Sequence, residues 1–289
     1  MLERGTRIVV ITPLYGFPVD WDAVASLLAR FGAIAIEDAA QGGHAAWRER
    51  PLGSLGPISV LSFGRGKGWT GGCGGALLVR DQAPWRGLRD HLTMLSRGGP
   101  RRAAEVRVLG VLAAQWALGR PAWYAIPQAI PWLRLGETVY HEPTVPQPMS
   151  RAASACLTAS HAAAAREAAA RRNTAEAILE AIGSASCVRP VQPLPGTKPG
   201  YLRLPLRLAD GLAGFTKPAA ATRLGLAPSY PSVLAMLPQV RPWTDDAASD
   251  CPGGEELART LFTAPTHSLV SVADRAELIR LLRTYGRGP

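Results

Sequence analysis

The sequence predicts an α/β fold, in which a mostly parallel sheet with helices is followed by a smaller α+β C-terminal domain. Two observations predict it. In the first 80 residues, short apolar runs that end in polar or glycine-rich loops alternate with a segment of helical spacing, which is the pattern of a parallel sheet with helical connections. A long alanine-rich segment then precedes a mixed series of strands and short helices, as in α+β domains.

The opening residues form a strand, helix, strand unit. Residues 7–12 form a run rich in β-branched residues that stops at Pro13, which predicts a strand followed by a turn at 13–16. Asp20 can cap a helix whose apolar residues recur at helical spacing. The next strand, residues 33–38, ends at Asp38. Because a right-handed crossover places the carboxyl ends of parallel strands at one edge of the sheet, we expect the 13–16 turn and Asp38 to lie at the same edge.

A second apolar run is followed by a glycine-rich loop. Residues 58–63 read as a strand, residues 64–75 as the loop, and residues 76–79 resume strand character. Lys67 is the lone lysine of this loop. The loop fits a dinucleotide-binding motif by its letters, but that motif must open a helix, and here a strand follows. A phosphate-binding loop of the nucleotide-hydrolase type fails on the residues around the lysine.

Four short motifs occur in a fixed order around this loop. Residues 37–41 read Glu-Asp-Ala-Ala-Gln, and residues 53–56 read Gly-Ser-Leu-Gly. Ser62-Phe63 is followed four residues on by Lys67, and Gly74-Gly75 enters the next strand. In these motifs the sequence resembles the DegT/DnrJ/StrS family of pyridoxal-phosphate-dependent sugar aminotransferases, which have the fold-type I architecture. The resemblance spans most of the chain and is strongest in the segment that carries the motifs.

The resemblance implies roles for four residues. Lys67 would form the Schiff base with the cofactor aldehyde and shuttle the proton that leaves the substrate. Asp38 would keep the pyridine nitrogen protonated, so that the ring can accept electrons. Gln41 would lie near the ring hydroxyl, and Ser62 near the cofactor phosphate. Singly, such an aspartate is more often a cap and such a lysine a solvated charge; together, in one motif series, they favour cofactor binding.

Two departures from the family pattern carry expectations of their own. The family's opening segment, which supplies a glycine-led helix start for the cofactor phosphate and a ring-stacking side chain, has no counterpart here. We therefore expect weaker cofactor retention and uncovered apolar surface, and a mis-set start codon, a deletion product and a chain completed by a partner all fit the pattern. Cys73 stands where members usually have an acidic residue, and residues 136–141 lack the asparagine of a segment that reaches the neighbouring subunit.

Composition narrows the classes of function. The net charge of +10 suits an anionic partner, but the arginines are spread widely and no nucleic-acid-binding motif accompanies them, so we expect no nucleic acid. The cysteines show no C-x-x-C pair and the histidines no ligand pair, which argues against disulfides and a metal site. Since no targeting signal opens the chain, we expect a cytoplasmic protein.

Three regions are predicted along the chain. Residues 1–104 form a truncated cofactor-binding large domain, and residues 105–146 an apolar, proline-rich insertion. Prolines interrupt the apolar run of this insertion, so it is too short to span a bilayer. We expect a hairpin packed on protein, with contact to an anionic membrane surface as the alternative. Residues 147–289 contain a long linking helix and the small α+β domain, with a helix at 255–262 and a strand at 267–272.

The resemblance implies an enzyme that transfers an amino group, with glutamate as the expected amino-acid donor, to a nucleotide-linked keto sugar. Such a reaction serves polysaccharide or deoxyamino-sugar biosynthesis, and a homodimer is the expected assembly. The alternative is a catalytically silent relative that acts as a binding or assembly subunit, at a membrane surface in one version. Lys67 and Asp38 decide between these alternatives, because only the enzyme requires both to meet one cofactor.

Overall fold

The computed structural model describes residues 2–80, 85–95, 102–118, 142, 147–183, 187–215, 218–244 and 251–285. These residues form two compact units. The first draws its described residues from 1–130, 144–172 and 193–202, and the second from 131–143, 173–192 and 203–289. Each unit contains a β-sheet together with helices, so the predicted α/β class is confirmed.

Over most of the first half of the chain, the helices and strands occur in the order predicted from the sequence. In chain order they are β1 (Ile8–Ile11), α1 (Trp21–Arg30), β2 (Ile34–Asp38), β3 (Ala46–Trp47), β4 (Arg50–Pro51), β5 (Ile58–Ser62), β6 (Gly75–Val79), α2 (Arg86–Leu95), α3 (Arg102–Leu118), α4 (Arg151–Ile182), β7 (Arg189–Pro190), β8 (Thr197–Lys198), β9 (Leu204–Arg207), α5 (Pro218–Arg223), β10 (Ala227–Pro228), α6 (Pro252–Thr260), β11 (Leu261–Ala264) and α7 (Val272–Tyr285).

The first unit is built on a sheet with strand order β1-β2-β5-β6. β1, β2 and β5 are parallel, and β6 pairs antiparallel with β5. The connection from β1 to β2 is helix α1, which begins as predicted at Asp20, whose carboxylate accepts a hydrogen bond from Ala23 N at 3.0 Å. Three parallel strands therefore present their carboxyl ends at one edge, which is where ligands bind in open α/β sheets.

The two faces of this sheet differ in burial. On one face, Ala35 and Ala39 of the β2 region pack with Trp21 and Leu28 in a buried apolar cluster. On the other face, which carries Asp38, Ile8 and Val10 are each 59% exposed. The period-two alternation of strands explains this division, because neighbouring residues point to opposite faces. An antiparallel three-stranded sheet, β4-β3-β8, completes the unit.

The second unit is an antiparallel sheet of order β10-β11-β9-β7 with helices. Leu204, Leu206 and Phe262 are fully buried, and Phe262 meets Phe215 edge-on with ring centroids 5.5 Å apart. Leu278 of α7 is also fully buried. Residues 204–206 of β9 are all buried, so β9 is a core strand of the small α+β domain rather than the half-buried strand that alternation predicts.

Two element boundaries in this unit correct the sequence prediction. The helix predicted for 255–262 ends at Thr260, because residues 261–264 form β11 and are all buried against β9. The strand predicted for 267–272 does not form: residues 267–270 form a turn, and Val272 is the first residue of α7. Ser271 caps α7, since its Oγ accepts a hydrogen bond from Asp274 N at 3.0 Å. The sequence prediction mistook the short apolar run beside this serine cap for a strand.

The predicted insertion, residues 105–146, lies partly outside the described residues. Its first part is helical, because α3 extends from Arg102 to Leu118, and residues 119–141 are outside. The asparagine-lacking segment 136–141 is therefore outside as well. Among the helices that the structure describes, none is both long and apolar enough to cross a membrane.

Candidate active site

Asp38 lies at the carboxyl end of β2, half-buried at the edge of the parallel sheet. Its Oδ1 accepts a hydrogen bond from Ala40 N at 3.1 Å, and its Oδ2 accepts one from Thr12 Oγ1 at 3.5 Å. Thr12 follows directly after β1, in which Ile11 is aligned with Glu37. Neighbouring strand ends therefore hold the carboxylate in one orientation, with an open sheet face beside it.

Ser62 and Gln41 lie near the same edge. Asp38 is aligned with Val60 across the β2–β5 pair, so Ser62, two residues further on, points to the same face as Asp38. Ser62 Oγ accepts a hydrogen bond from Gly64 N at 3.4 Å. Gln41 Oε1 accepts one from Tyr15 N at 2.9 Å, which fixes the side-chain amide against the turn after β1.

Lys67 lies in the turn that follows β5, and its backbone N–H donates to Gly64 O at 3.3 Å. Its side chain is partly buried. Burial lowers the pKa of the Lys67 amine, and the negative charge of Asp38 raises it in the opposite sense. The amine and the carboxylate are thus close enough to interact, and burial has the larger effect of the two.

Helix α4 holds the lysine loop from the outside. Trp69 Nε1 donates to Leu157 O at 3.0 Å, and the indole contacts the His161 ring edge-on with centroids 5.3 Å apart. A Cβ atom on Gly71 would lie 2.8 Å from Ala153 O, so only glycine permits this close approach of loop and helix. Both contacts hold the loop that carries Lys67 against α4.

Glu37 has a structural role that reading the sequence missed. Its side chain is fully buried. Its two carboxylate oxygens accept four hydrogen bonds, which come from Gly53 N at 2.6 Å, Leu55 N at 2.9 Å, Gly56 N at 3.1 Å and Ser59 Oγ at 2.8 Å. The Glu-Asp and Gly-Ser-Leu-Gly motifs are therefore linked: Glu37 folds the 53–56 loop on one face, and Asp38 faces the other. The sequence did contain a signal for this role, because Glu37 is a charged residue at a strand position that faces the core.

We expect Glu37→Gln to lower the free energy of unfolding by about 3 kcal/mol, because a neutral amide replaces one acceptor oxygen by a donor facing buried N–H groups. Urea unfolding followed by circular dichroism measures the change. Glu176→Gln, at an exposed position of α4, is the matched control and should leave stability nearly unchanged. Equal stability of the two variants would contradict the role assigned to Glu37.

Comparison with known proteins shows which family the chain is similar to as a whole. A family model described as the DegT/DnrJ/EryC1/StrS aminotransferase family matches residues 1–283. The chain belongs to this family. Pyridoxal phosphate is the cofactor that membership of the DegT/DnrJ/EryC1/StrS family indicates.

Two curated relatives match segments of the chain. The dTDP-3-amino-3,4,6-trideoxy-alpha-D-glucose transaminase of Streptomyces venezuelae is 37% identical over 100 residues, which cover 34% of this chain and 25% of the relative. The L-glutamine:2-deoxy-scyllo-inosose aminotransferase of Streptoalloteichus tenebrarius is 38% identical over 102 residues, which cover 35% of this chain and 24% of the relative.

A solved structure matches the fold of the chain. The S. venezuelae DesV structure aligns with a TM-score of 0.72 at 21% identity, over 98% of this chain and 66% of that protein. The chain thus spans about two thirds of the length of this neighbour. At this identity the likeness supports the fold, and the site residues have to be judged on their own chemistry.

The residues at the sheet edge fit the cofactor that the family indicates. A partly buried amine with a lowered pKa, at Lys67, suits reaction with an aldehyde. A carboxylate at Asp38 suits a protonated pyridine nitrogen. The hydroxyl of Ser62 and the amide of Gln41 add neutral hydrogen-bonding groups. Lys67 and Asp38 interact electrostatically, while Gln41 is tied to the turn at Tyr15.

Proposed function

We propose that this chain uses pyridoxal phosphate to transfer an amino group from glutamate to a nucleotide-linked keto sugar. The observation that carries the proposal is the partly buried Lys67 amine, whose pKa is lowered, coupled to the Asp38 carboxylate at the carboxyl edge of parallel strands. Family membership supports the same reaction type. The transfer converts glutamate to 2-oxoglutarate and the keto sugar to an amino sugar.

Each residue has a defined task in the proposal. When bound, pyridoxal phosphate supplies an aldehyde that reacts with amines and a ring that accepts electrons. Lys67, neutral more often than an ordinary lysine, would hold the cofactor through its amine and would take and return the substrate proton at its Nζ. Asp38, whose carboxylate Thr12 and Ala40 orient, would face the pyridine nitrogen and keep it protonated. Gln41 and Ser62 would contact the ring hydroxyl and the phosphate.

The names of the two relatives define which donors and acceptors to compare. One relative is named for a dTDP-linked sugar, and the other for L-glutamine and a free cyclitol ketone. We assign glutamate and a nucleotide-linked keto sugar to this chain. Glutamine as donor and 2-deoxy-scyllo-inosose as acceptor are the competing pair.

The experiment is a discontinuous transamination assay on the full chain loaded with pyridoxal phosphate. Each donor, glutamate or glutamine, is combined with each acceptor, a dTDP-linked keto sugar or 2-deoxy-scyllo-inosose, and the amino product is measured by mass spectrometry. We expect product from glutamate and the nucleotide-linked sugar. Turnover of the cyclitol alone would overturn the substrate class, and no turnover of any pair would favour the catalytically silent alternative.

The proposed assembly is a homodimer. Helix α3 supports it, because its apolar residues are distributed around the helix and Val106 and Leu109 are 70% and 56% exposed. Exposed apolar surface of this kind is normally covered by protein. A second copy of the chain is the occupant that the family resemblance predicts for such a surface.

A further inference from the structure

The inner face of helix α3 holds the base of the loop that carries Lys67. This face is formed by three partly buried residues, Glu105, Leu112 and Gln115. Gln115 Nε2 donates to Gly72 O at 3.3 Å, and a Cβ atom on Gly72 would lie 2.5 Å from Leu112 Cδ2. Gly72 in turn forms a β-bridge with Gly64, whose carbonyl accepts a hydrogen bond from Lys67 N at 3.3 Å. A continuous series of contacts therefore runs from α3 to the lysine.

Glu105 of the inner face also holds the start of helix α4. Its carboxylate oxygens accept hydrogen bonds from Arg151 N at 2.7 Å and from Ala152 N at 3.2 Å. These N–H groups belong to the first turn of the helix, where a negative charge is favourable. Because Gly71 of the lysine loop packs against Ala153 O of the same turn, α3 fixes the loop through α4 as well as directly.

A second face of α3 is apolar and exposed. This outer stripe consists of Val106, Leu109, Ala113 and Trp116, of which the valine, leucine and tryptophan are 70%, 56% and 69% exposed. The four positions recur at intervals of three, four and three residues, which is the spacing of side chains that line one side of a helix and meet a partner helix. The stripe contains no charged residue, so it has the character of an interaction surface.

The spacing of the outer stripe identifies a second copy of α3 as its occupant. Intervals of three, four and three read the same in both directions, so a two-fold axis at residue 111 maps antiparallel copies of the stripe onto each other. Val106 then faces Trp116 of the second copy, and Leu109 faces Ala113. A larger side chain thus meets a smaller one at each position, which fills the space between the helices. In a parallel pair each residue would face itself, so that alanine opposite alanine would leave a gap.

A membrane surface fits the outer stripe less well than a second copy does. Helices that lie on membranes combine an apolar face with a strongly charged one. Along residues 105–118 of α3, whose side chains the structure describes, Arg107 is the one exposed charged residue. The stripe is therefore better matched to another protein surface than to a layer of anionic lipid headgroups.

We propose that two copies of the chain dock through antiparallel outer stripes of α3, and that this contact prepares the lysine loop for cofactor binding. Helices in proteins draw most of their stability from packing, so covering the outer stripe stabilises the same helix whose inner face holds Gly72. This second part of the inference rests on the proposed function, because it concerns how readily Lys67 binds the cofactor. By linkage, the cofactor must in turn stabilise the dimer.

The docking surface is tested by the mass of the full chain in solution, measured by analytical ultracentrifugation over a range of concentrations. We expect the wild type to be a dimer that dissociates on dilution. Leu109→Glu and Ala113→Lys should each be monomers with the circular dichroism of the wild type. Mixing the two variants should restore a dimer, because antiparallel pairing sets the introduced carboxylate against the introduced ammonium group. Leu234→Glu, at an exposed position of the second unit, should remain a dimer.

The coupling to the lysine loop is tested by trapping pyridoxal phosphate on the chain with borohydride at a fixed protein concentration. Leu109→Glu should need about tenfold more cofactor than the wild type for half-maximal labelling of Lys67, which is a usual coupling between linked sites. Gln115→Ala should remain a dimer and yet be labelled less readily than the wild type, since it loses the contact to Gly72. Adding cofactor should lower the dissociation constant of the wild-type dimer.

Four results have other consequences. A wild-type monomer at every concentration, or a dimer that persists in Leu109→Glu, would overturn the docking surface. Binding of a wild-type monomer to vesicles of anionic lipid, lost in Leu109→Glu, would assign the stripe to a membrane instead. Equal labelling of Lys67 in the wild type and in monomeric Leu109→Glu would overturn the coupling. If no lysine of the wild type is labelled, the proposed function fails, while the mixing experiment still decides the docking surface.

Discussion

Lys67→Ala is expected to lower kcat/KM for amino transfer by about 10⁴-fold, because the variant loses both the amine that reacts with the aldehyde and the group that moves the substrate proton. Lys67→Arg should be equally inactive, since a guanidinium keeps the charge but stays protonated. The measurement is the steady-state rate of amino-sugar formation with saturating pyridoxal phosphate.

Two further activity measurements distinguish this catalytic role from a loss of structure. Adding a small primary amine should restore part of the activity of Lys67→Ala, which a merely structural lysine would not allow. Arg65→Ala, at an exposed position of the same loop, should keep nearly full activity. Wild-type activity in Lys67→Ala, or an equal loss in Arg65→Ala, would contradict the assignment.

Asp38→Asn is expected to lower kcat by about 10² to 10³-fold, because a neutral amide cannot stabilise a protonated pyridine nitrogen in the transition state. The substitution preserves shape, and one amide oxygen can still accept from Thr12 or Ala40. It also acts on Lys67. The Asp38 charge raises the pKa of Lys67 against the effect of burial, so removing that charge should lower the pKa further.

The pH dependence of lysine modification checks the sign of this coupling. The neutral amine is the reactive form, so the rate of Lys67 labelling rises with pH through the pKa. In the wild type the midpoint should lie below that of an ordinary lysine, and in Asp38→Asn it should lie lower still. Asp210→Asn, an exposed position in the second unit, is the control and should not move the midpoint. An unchanged or raised midpoint in Asp38→Asn would show that the two groups do not interact.

The sheet edge that carries Asp38 was predictable because its signals are local. β2 and β5 are short apolar runs, and each is followed by the polar or glycine-rich residues that the motifs specify. Asp38 and Lys67 are therefore placed by strand ends close to them in sequence. The small domain was less predictable, since β11 and the turn before α7 both contain short mixed segments, and only the pairing of Leu261 with Arg207 distinguishes them.

What the sequence could not supply comes from contacts between distant segments. The environment of Glu37 depends on a loop that returns to it. No spacing rule relates Glu37 to this loop. The role of Glu37 appears only once its carboxylate is seen to be buried.

The convergence of Lys67 and Asp38 on one cofactor is tested most directly by reductive trapping. The full chain is mixed with pyridoxal phosphate, reduced with borohydride, digested and mapped by mass spectrometry, alongside Asp38→Asn. We predict a single pyridoxyl label, on Lys67, with less label at a given cofactor concentration in Asp38→Asn. A label on Lys198 or Lys217 in place of Lys67, or no label on any lysine, would contradict this account.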